Sequence, residues 1–100
     1  MSQTSASLPP HPASLLLSTL DYLNCTRAIA ARSLGLSRQT IYEITREKQA
    51  ITASVALRVA KMTGTRAEMW LEMQQAHDLA LARAKSRNLL ENVPQLGERW

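Results

Sequence analysis

Two short helical segments joined by a glycine turn constrain the fold more than any other feature of this sequence. Thr26 can cap the segment "RAIAARSL", because its hydroxyl can accept a hydrogen bond from a free backbone N–H. Gly35 stands where that helix should end, since glycine readily adopts the left-handed conformation that reverses the chain. Ser37 can then cap a second helix that runs to about Arg46. Two helices joined in this way are typical of a helix-turn-helix.

The spacing of apolar residues predicts how this helix pair is buried. Ile29, Ala30 and Leu34 are expected to point inward from the first helix. Ile41 and Ile44 form the expected buried side of the second helix. The small side chain of Ala30 lets the second helix approach closely, so the pair can pack as one unit.

Three further helices are predicted around the pair, and no strand is indicated. They cover about 13–23, 52–64 and 65–84. Thr52 is expected to cap the second of them and Gly64 to end it. Thr65 and Glu68 have the spacing of a capping box, which predicts the start of the last helix. The sequence therefore predicts an all-α fold.

The composition indicates one domain with two less ordered ends. A chain of 100 residues suits a single domain, here predicted over residues 12–85. Residues 1–11 are rich in Ser, Pro and Gln and predict a flexible arm, and 86–100 a C-terminal tail. No apolar run reaches the roughly 18 residues of a membrane span, and Cys25 is the single cysteine. We therefore expect a cytoplasmic protein without a membrane partner.

The distribution of charge favours a polyanionic partner. The formal net charge is +4, and residues 27–66 carry eight basic residues against only two acidic ones. Clustered positive charge suits nucleic acid, although an ordinary solvated surface would have the same composition.

The first turns of the second helix carry the side chains that could read DNA. Arg38 can donate two parallel hydrogen bonds to guanine, and Gln39 can pair in the same way with adenine. Thr40 can touch a phosphate or a thymine methyl, and Tyr42 and Glu43 could read or exclude a base. The residues expected at phosphates are Thr26, Arg27, Ser37, Arg46 and Lys48. The alternative is that these are ordinary solvent-exposed residues of a small helical protein.

The last predicted helix offers a candidate interface for a homodimer or another partner. Dimers of this fold class read two half-sites of a palindrome about 34 Å apart. The candidate interface residues are Met69, Trp70, Met73, His77, Leu79 and Leu81. For Trp70 a place in the core is favoured over the interface.

Catalysis has little support in this sequence. His11 and His77 are the only histidines, and the sequence holds no Cys/His ligand cluster and no glycine-rich phosphate loop. We expect no enzyme, no metal and no cofactor.

Four segments together resemble the HigA (VapI) type antitoxins of bacterial toxin–antitoxin modules, within the wider Xre/Cro repressor class. They are "HP" at 11–12, "RAIAARSLGLSRQTIYEI", "ITASVALRVAKMTGT" and "MWLEMQQAHDLALAR". Two departures stand out. Ala13 and Ser14 replace the Gly-Glu that usually follows "HP", and "TREKQA" lacks the glycine usual in the loop after the recognition helix.

The resemblance implies a five-helix, lambda-repressor-like helix-turn-helix domain that binds double-stranded DNA as a homodimer. Such a protein represses its own operon at a palindromic operator and binds a small RNase toxin of the RelE-like fold. It leaves two surfaces open for the toxin: the N-terminal arm with the first helix, and the last helix. The alternatives are a stand-alone regulator without a toxin and a toxin-masking module with weak DNA binding.

Overall fold

The computed structural model of the protein describes residues 8–98, which form six α-helices and no strand. The helices are α1 (Ala13–Tyr22), α2 (Arg27–Leu34), α3 (Arg38–Thr45), α4 (Ala53–Thr63), α5 (Ala67–Lys85) and α6 (Arg87–Glu91). The all-α prediction is confirmed, and α6 is a single short turn beyond the five predicted helices. Residues 1–7 of the predicted arm and Trp100 lie outside the described residues.

The predicted caps and turns of the central helices are present. The hydroxyls of Thr26, Ser37 and Thr52 each accept a hydrogen bond from the backbone N–H three residues later, at 3.1, 3.0 and 3.3 Å. Gly35 and Gly64 end α2 and α4 with φ angles of 72° and 74°. Both values lie in the left-handed region, where glycine avoids the clash that a Cβ would suffer.

The core is aliphatic except for one tryptophan. Its buried apolar residues come from α1 to α5 and the loop before α4, and α2 packs on both α3 and α4. The buried residues are Leu16, Leu20, Ala30, Ala31, Leu34, Ile41, Ile44, Ile51, Val55, Ala56, Val59 and Trp70. The helix pair α2–α3 is thus fixed from behind by α1 and α4, which leaves its outer side free.

Trp70 belongs to the core, the position that the sequence favoured for it over a place in the interface. Its side chain is fully buried, and its indole N–H donates to the Thr65 hydroxyl at 2.7 Å. The capping box predicted for Thr65 and Glu68 is wrong, because Arg66 is the N-cap of α5 and makes no side-chain capping bond. The buried indole N–H, five residues further along the chain, uses the hydroxyl that the pattern assigned to a cap.

Ile29 does not point inward as predicted, since its side chain is 47% exposed. Ala30, Ala31 and Leu34 form the buried stripe of α2. At 100° per residue, Ile29 lies roughly 150° around the helix from the middle of that stripe. Three small or aliphatic residues therefore decide the orientation of this short helix, and Ile29 faces solvent.

The part of the N-terminal segment that the structure describes is docked against α5. His11 is only 5% exposed, and its Nδ1 accepts a hydrogen bond from the Ala13 N–H at 3.0 Å. The carbonyl oxygen of Pro9 lies 2.7 Å from Nδ1 of His77 on α5. Ordered packing therefore begins before α1 and ties the start of the domain to its last long helix.

At the other end, residues 87–98 are exposed, and α6 buries no residue. Over residues 8–98, every helix is too short or too polar to cross a lipid bilayer.

Candidate nucleic-acid interface

The start of α3 projects three predicted base-contacting residues, Arg38, Gln39 and Thr40, which we call the reading head. Arg38 and Gln39 are exposed, and Thr40 is half-buried. Ser37 fixes this turn by accepting from the Thr40 N–H at 3.0 Å and donating to the Thr40 hydroxyl at 2.8 Å. These two bonds hold the first turn together, while the two longest side chains are exposed.

Gln39 is held by a contact one turn along the helix. Its Nε2 donates to a carboxylate oxygen of Glu43 at 3.0 Å. An amide group carries two N–H donors and one oxygen acceptor, so a second N–H and the oxygen stay free for the edge of a base. Glu43, predicted to read or exclude a base, thus lies where it can orient Gln39.

Tyr42 is half-buried, with two predicted phosphate-binding residues against it. The guanidinium carbon of Arg27 lies 4.3 Å from the ring centroid, and that of Arg46 lies 5.7 Å away. Arg27 also donates to the Thr45 hydroxyl at 3.4 Å. Cation–π attraction at these distances brings together two positive groups that would otherwise repel each other. Tyr42 is therefore placed to orient arginines, whatever contact its own hydroxyl makes.

The loop after α3 presents the remaining basic candidate. Lys48 is exposed, and its backbone N–H donates to the Glu43 carbonyl at 2.8 Å. Glu47 precedes it with a φ of 63°, a left-handed conformation at a non-glycine residue. Thr26 is exposed at the start of α2. The predicted phosphate contacts thus come from both sides of the reading head.

Arg58 has a role in the turn that the sequence did not reveal. It is exposed in part, but its Nη1 donates to the carbonyl oxygens of Leu34 at 2.9 Å and of Gly35 at 3.2 Å. No spacing along the chain signals this contact, because 24 residues separate Arg58 from Leu34.

The remaining predicted interface residues lie along α5. Met69, Met73, His77 and Leu81 are half-buried, and Leu79 is 47% exposed. A surface groove of about 580 Å³ runs beside α5. Its lining residues include Ala50, Ile51, Leu71, Gln75, Leu79 and Ala82. Of the predicted interface residues only Leu79 lines this groove, and the interface stays a prediction.

Within residues 8–98 no three His, Cys, Asp or Glu side chains are grouped so that they could hold a metal ion.

The chain is similar to several known proteins, although no family model matches it. Virulence-associated protein A′ of Dichelobacter nodosus is 37% identical over 73 residues, which are 72% of this chain and 64% of that protein. The chain therefore spans less than two thirds of that relative's length. An addiction module antidote protein of the HigA family from Coxiella burnetii is 32% identical with a TM-score of 0.80, covering 89% of this chain and 99% of that one. The structure of the Pseudomonas aeruginosa antitoxin HigA with the higBA promoter is 30% identical with a TM-score of 0.80, covering 89% and 99%.

The packed pair α2–α3, with the reading head at its exposed end, defines a helix-turn-helix protein. The similarity extends over almost the whole of the two solved antitoxin structures, in sequence as well as in fold. The chain belongs to the HigA family of antitoxins.

Proposed function

We propose that this protein is a sequence-specific DNA-binding repressor that acts as the antitoxin of a toxin–antitoxin module and regulates its own operon. The observation that supports this best is the reading head, which is held by the Ser37 hydroxyl and exposed at the start of α3. It lies between basic residues of α2 and of the loop after α3. A relative of the same fold has been solved with its promoter.

In the proposed complex, α3 enters the major groove by its first turn. Arg38 and Gln39 read base edges, and Thr40 contacts a neighbouring methyl or phosphate group. Arg27, Arg46 and Lys48 neutralise phosphates on both sides, with the free N–H groups at the start of α2 beside Thr26. Because bound Lys and Arg release counterions, the affinity should fall steeply with salt.

A homodimer completes the proposal, because one half-site gives limited affinity. Two copies joined through the α5 groove would read half-sites about 34 Å apart in a palindrome. A protein that binds bacterial DNA works in the cytoplasm. Neither binding DNA nor masking a toxin requires the protein to be an enzyme.

The antitoxin part adds a small RNase toxin of the RelE-like fold as partner. Co-expression with the neighbouring reading frame tests it: the neighbour alone should arrest growth, and this chain should relieve the arrest. A neighbour that is harmless alone would favour the stand-alone regulator.

The substitution Arg38→Ala tests the DNA-reading part. It should cost about 1–3 kcal/mol of binding free energy on the protein's own upstream region, because a bidentate contact to a base is lost. Binding to an unrelated duplex should change much less. Fluorescence anisotropy at fixed salt measures both affinities.

Arg83→Ala is the matched control, since it removes an equal charge from an exposed position in the last turn of α5. It should leave both affinities near the wild-type values. Equal loss on both duplexes for Arg38→Ala would make Arg38 a phosphate contact. A wild-type protein without preference for its upstream region would contradict the repressor function.

A further inference from the structure

The turn between α2 and α3 is the joint that sets the direction of the reading head. Backbone bonds close it from within: the Leu36 N–H donates to the Ala31 carbonyl at 2.9 Å, and the Gly35 N–H to the Arg32 carbonyl at 3.2 Å. The carbonyls of Leu34 and Gly35 point out of the end of α2, where a helix offers no N–H partner. The stability of the joint therefore depends on what satisfies these two oxygens.

Arg58 supplies the partner from a third helix. Its Nη1 donates to the Leu34 oxygen at 2.9 Å and to the Gly35 oxygen at 3.2 Å. The positive guanidinium also lies at the negative end of the α2 dipole, which is favourable. We call this contact of Arg58 with Leu34 and Gly35 the clasp. It connects α4 directly to the joint from which α3 starts.

Gly35 leaves the space that the clasp needs. A Cβ built on Gly35 would lie 3.1 Å from Nη1 of Arg58, which is closer than such a contact normally allows. Gly64 ends α4 with nearly the same φ, 74°, yet a Cβ there would meet nothing within 4 Å. A side chain at position 35 would therefore push Arg58 away by a few tenths of an ångström, in addition to straining the left-handed backbone.

We propose that Arg58 is a positioning residue for DNA reading, holding the joint so that α3 presents the reading head at one fixed angle. This inference rests on the proposed function. Base readout needs α3 in one orientation, whereas attraction of basic residues to phosphates tolerates several. If only a fraction of molecules holds that orientation, the apparent affinity for the operator is the intrinsic affinity multiplied by that fraction.

The substitution Arg58→Met tests the clasp, with Lys61→Met as its matched control. Lys61 lies one turn further along α4 and lines the same surface pocket, but the described residues give it no carbonyl partner at the joint. Binding is measured on the protein's upstream region and on an unrelated duplex of equal length, between about 50 and 200 mM salt.

Arg58→Met should weaken operator binding about tenfold, the order expected when a charged hydrogen bond is lost. Binding to the unrelated duplex and the salt dependence should stay close to those of Lys61→Met. A loss shared by both duplexes, with a salt slope smaller by about 0.9, would make Arg58 a phosphate contact and overturn the proposal. Unchanged operator binding would overturn it too.

Hydrogen exchange gives a second readout that needs no DNA. The Leu36 amide should exchange faster in Arg58→Met than in Lys61→Met, while amides of α5 keep their rates. Gly35→Ala should speed exchange of the Leu36 amide more than Gly64→Ala speeds exchange of the Thr65 amide, which holds the equivalent bond after Gly64 at the same backbone strain and without Arg58 nearby.

The two readouts separate the two hypotheses. Equal Leu36 exchange in Arg58→Met and Lys61→Met contradicts the clasp even if the wild type binds its operator. A wild type without operator preference contradicts the proposed function, and the role of Arg58 in DNA reading with it.

Discussion

Glu47 holds a backbone conformation that costs free energy. Its φ of 63° lies in the left-handed region, where a Cβ crowds the following carbonyl at a cost of roughly 1–2 kcal/mol. Its N–H donates to the Ile44 carbonyl at 3.0 Å, so it closes the end of α3 as a glycine often does. The glycine absent from "TREKQA" is thus not needed for the turn to form, but its absence leaves strain in the loop that carries Lys48.

Replacing Glu47 by Gly should therefore stabilise the protein. The relief of strain exceeds the entropy that glycine adds to the unfolded chain, and we expect a net gain of about 0.5–1 kcal/mol. Urea denaturation measures the free energy of unfolding. Glu47→Ala is the control, because it removes the carboxylate and keeps the Cβ. If Glu47→Ala gains as much as Glu47→Gly, charge and not strain explains the change.

The sequence predicted residues whose role is local and missed those whose role depends on the fold. Ser37 caps α3 through a bond to its own first turn, so its role is visible in the sequence. Thr65 has an equally good pattern, but the Trp70 indole takes its hydroxyl. Arg58 offers no local pattern, because its acceptors are the carbonyls of another helix.

At the scale of elements, His11 joins the segment before α1 to α5. Its ring lies 5.3 Å from that of His77, edge to face. Burial is the main cause that lowers the pKa of His11 below its ordinary value of about 6.5. His77 also lowers the pKa of His11, whereas the Glu47 and Asp78 carboxylates and a hydrogen bond with the Gln49 backbone raise it. The neutral ring is also the form whose Nδ1 can accept from the Ala13 N–H.

Stability should consequently fall in mild acid. The unfolded chain takes up the His11 proton as the pH drops below about 6.5, and the folded protein does so only at lower pH. Neutral His11 therefore contributes its full stabilisation above about pH 6.5. This contribution is lost as the pH falls from there through the lower pKa of His11 in the folded protein. The denaturation midpoint should therefore fall as the pH is lowered from about 7 to about 5, and measuring it over this range tests the prediction.

His11→Asn should flatten that pH dependence, since the asparagine Oδ1 lies where Nδ1 of His11 does and can still accept from the Ala13 N–H without titrating. His77→Asn is the comparison, as it removes the neighbouring ring and leaves His11 to titrate. Identical pH profiles for the wild type and His11→Asn would show that His11 is not the group responsible.

Helix positions were more predictable than helix faces. The caps fixed where α2, α3 and α4 begin, and the left-handed glycines fixed where α2 and α4 end, because these are short-range effects. The face of α2 was harder, since eight residues give little more than two turns of periodicity and Ile29 is as apolar as its buried neighbours. Gln74 on α5 shows the same limit: it is 6% exposed and accepts from the Ile51 N–H at 2.8 Å, which no apolar pattern predicts.

At the scale of the whole molecule, the groove beside α5 is the surface on which dimer formation is predicted. Leu79→Glu should weaken self-association by placing a charge in this apolar groove. Sedimentation equilibrium over a range of protein concentrations measures the effect.

Leu57→Glu is the matched control, because Leu57 is 65% exposed on α4 and does not line the groove. If both variants associate like the wild type, the dimer uses another surface. If both variants dissociate to the same extent, the added charge weakens self-association wherever it is placed, and the result does not support the groove as the dimer interface.

The arrangement of the reading head has an evolutionary consequence. Arg38 and Gln39 project from the scaffold and take no part in the hydrophobic core, so exchanging them leaves folding almost untouched. Where Arg38 and Gln39 read bases as proposed, duplicated copies of such a gene can acquire new operators through a few surface mutations. Several modules of this kind can then coexist in one genome as separate circuits.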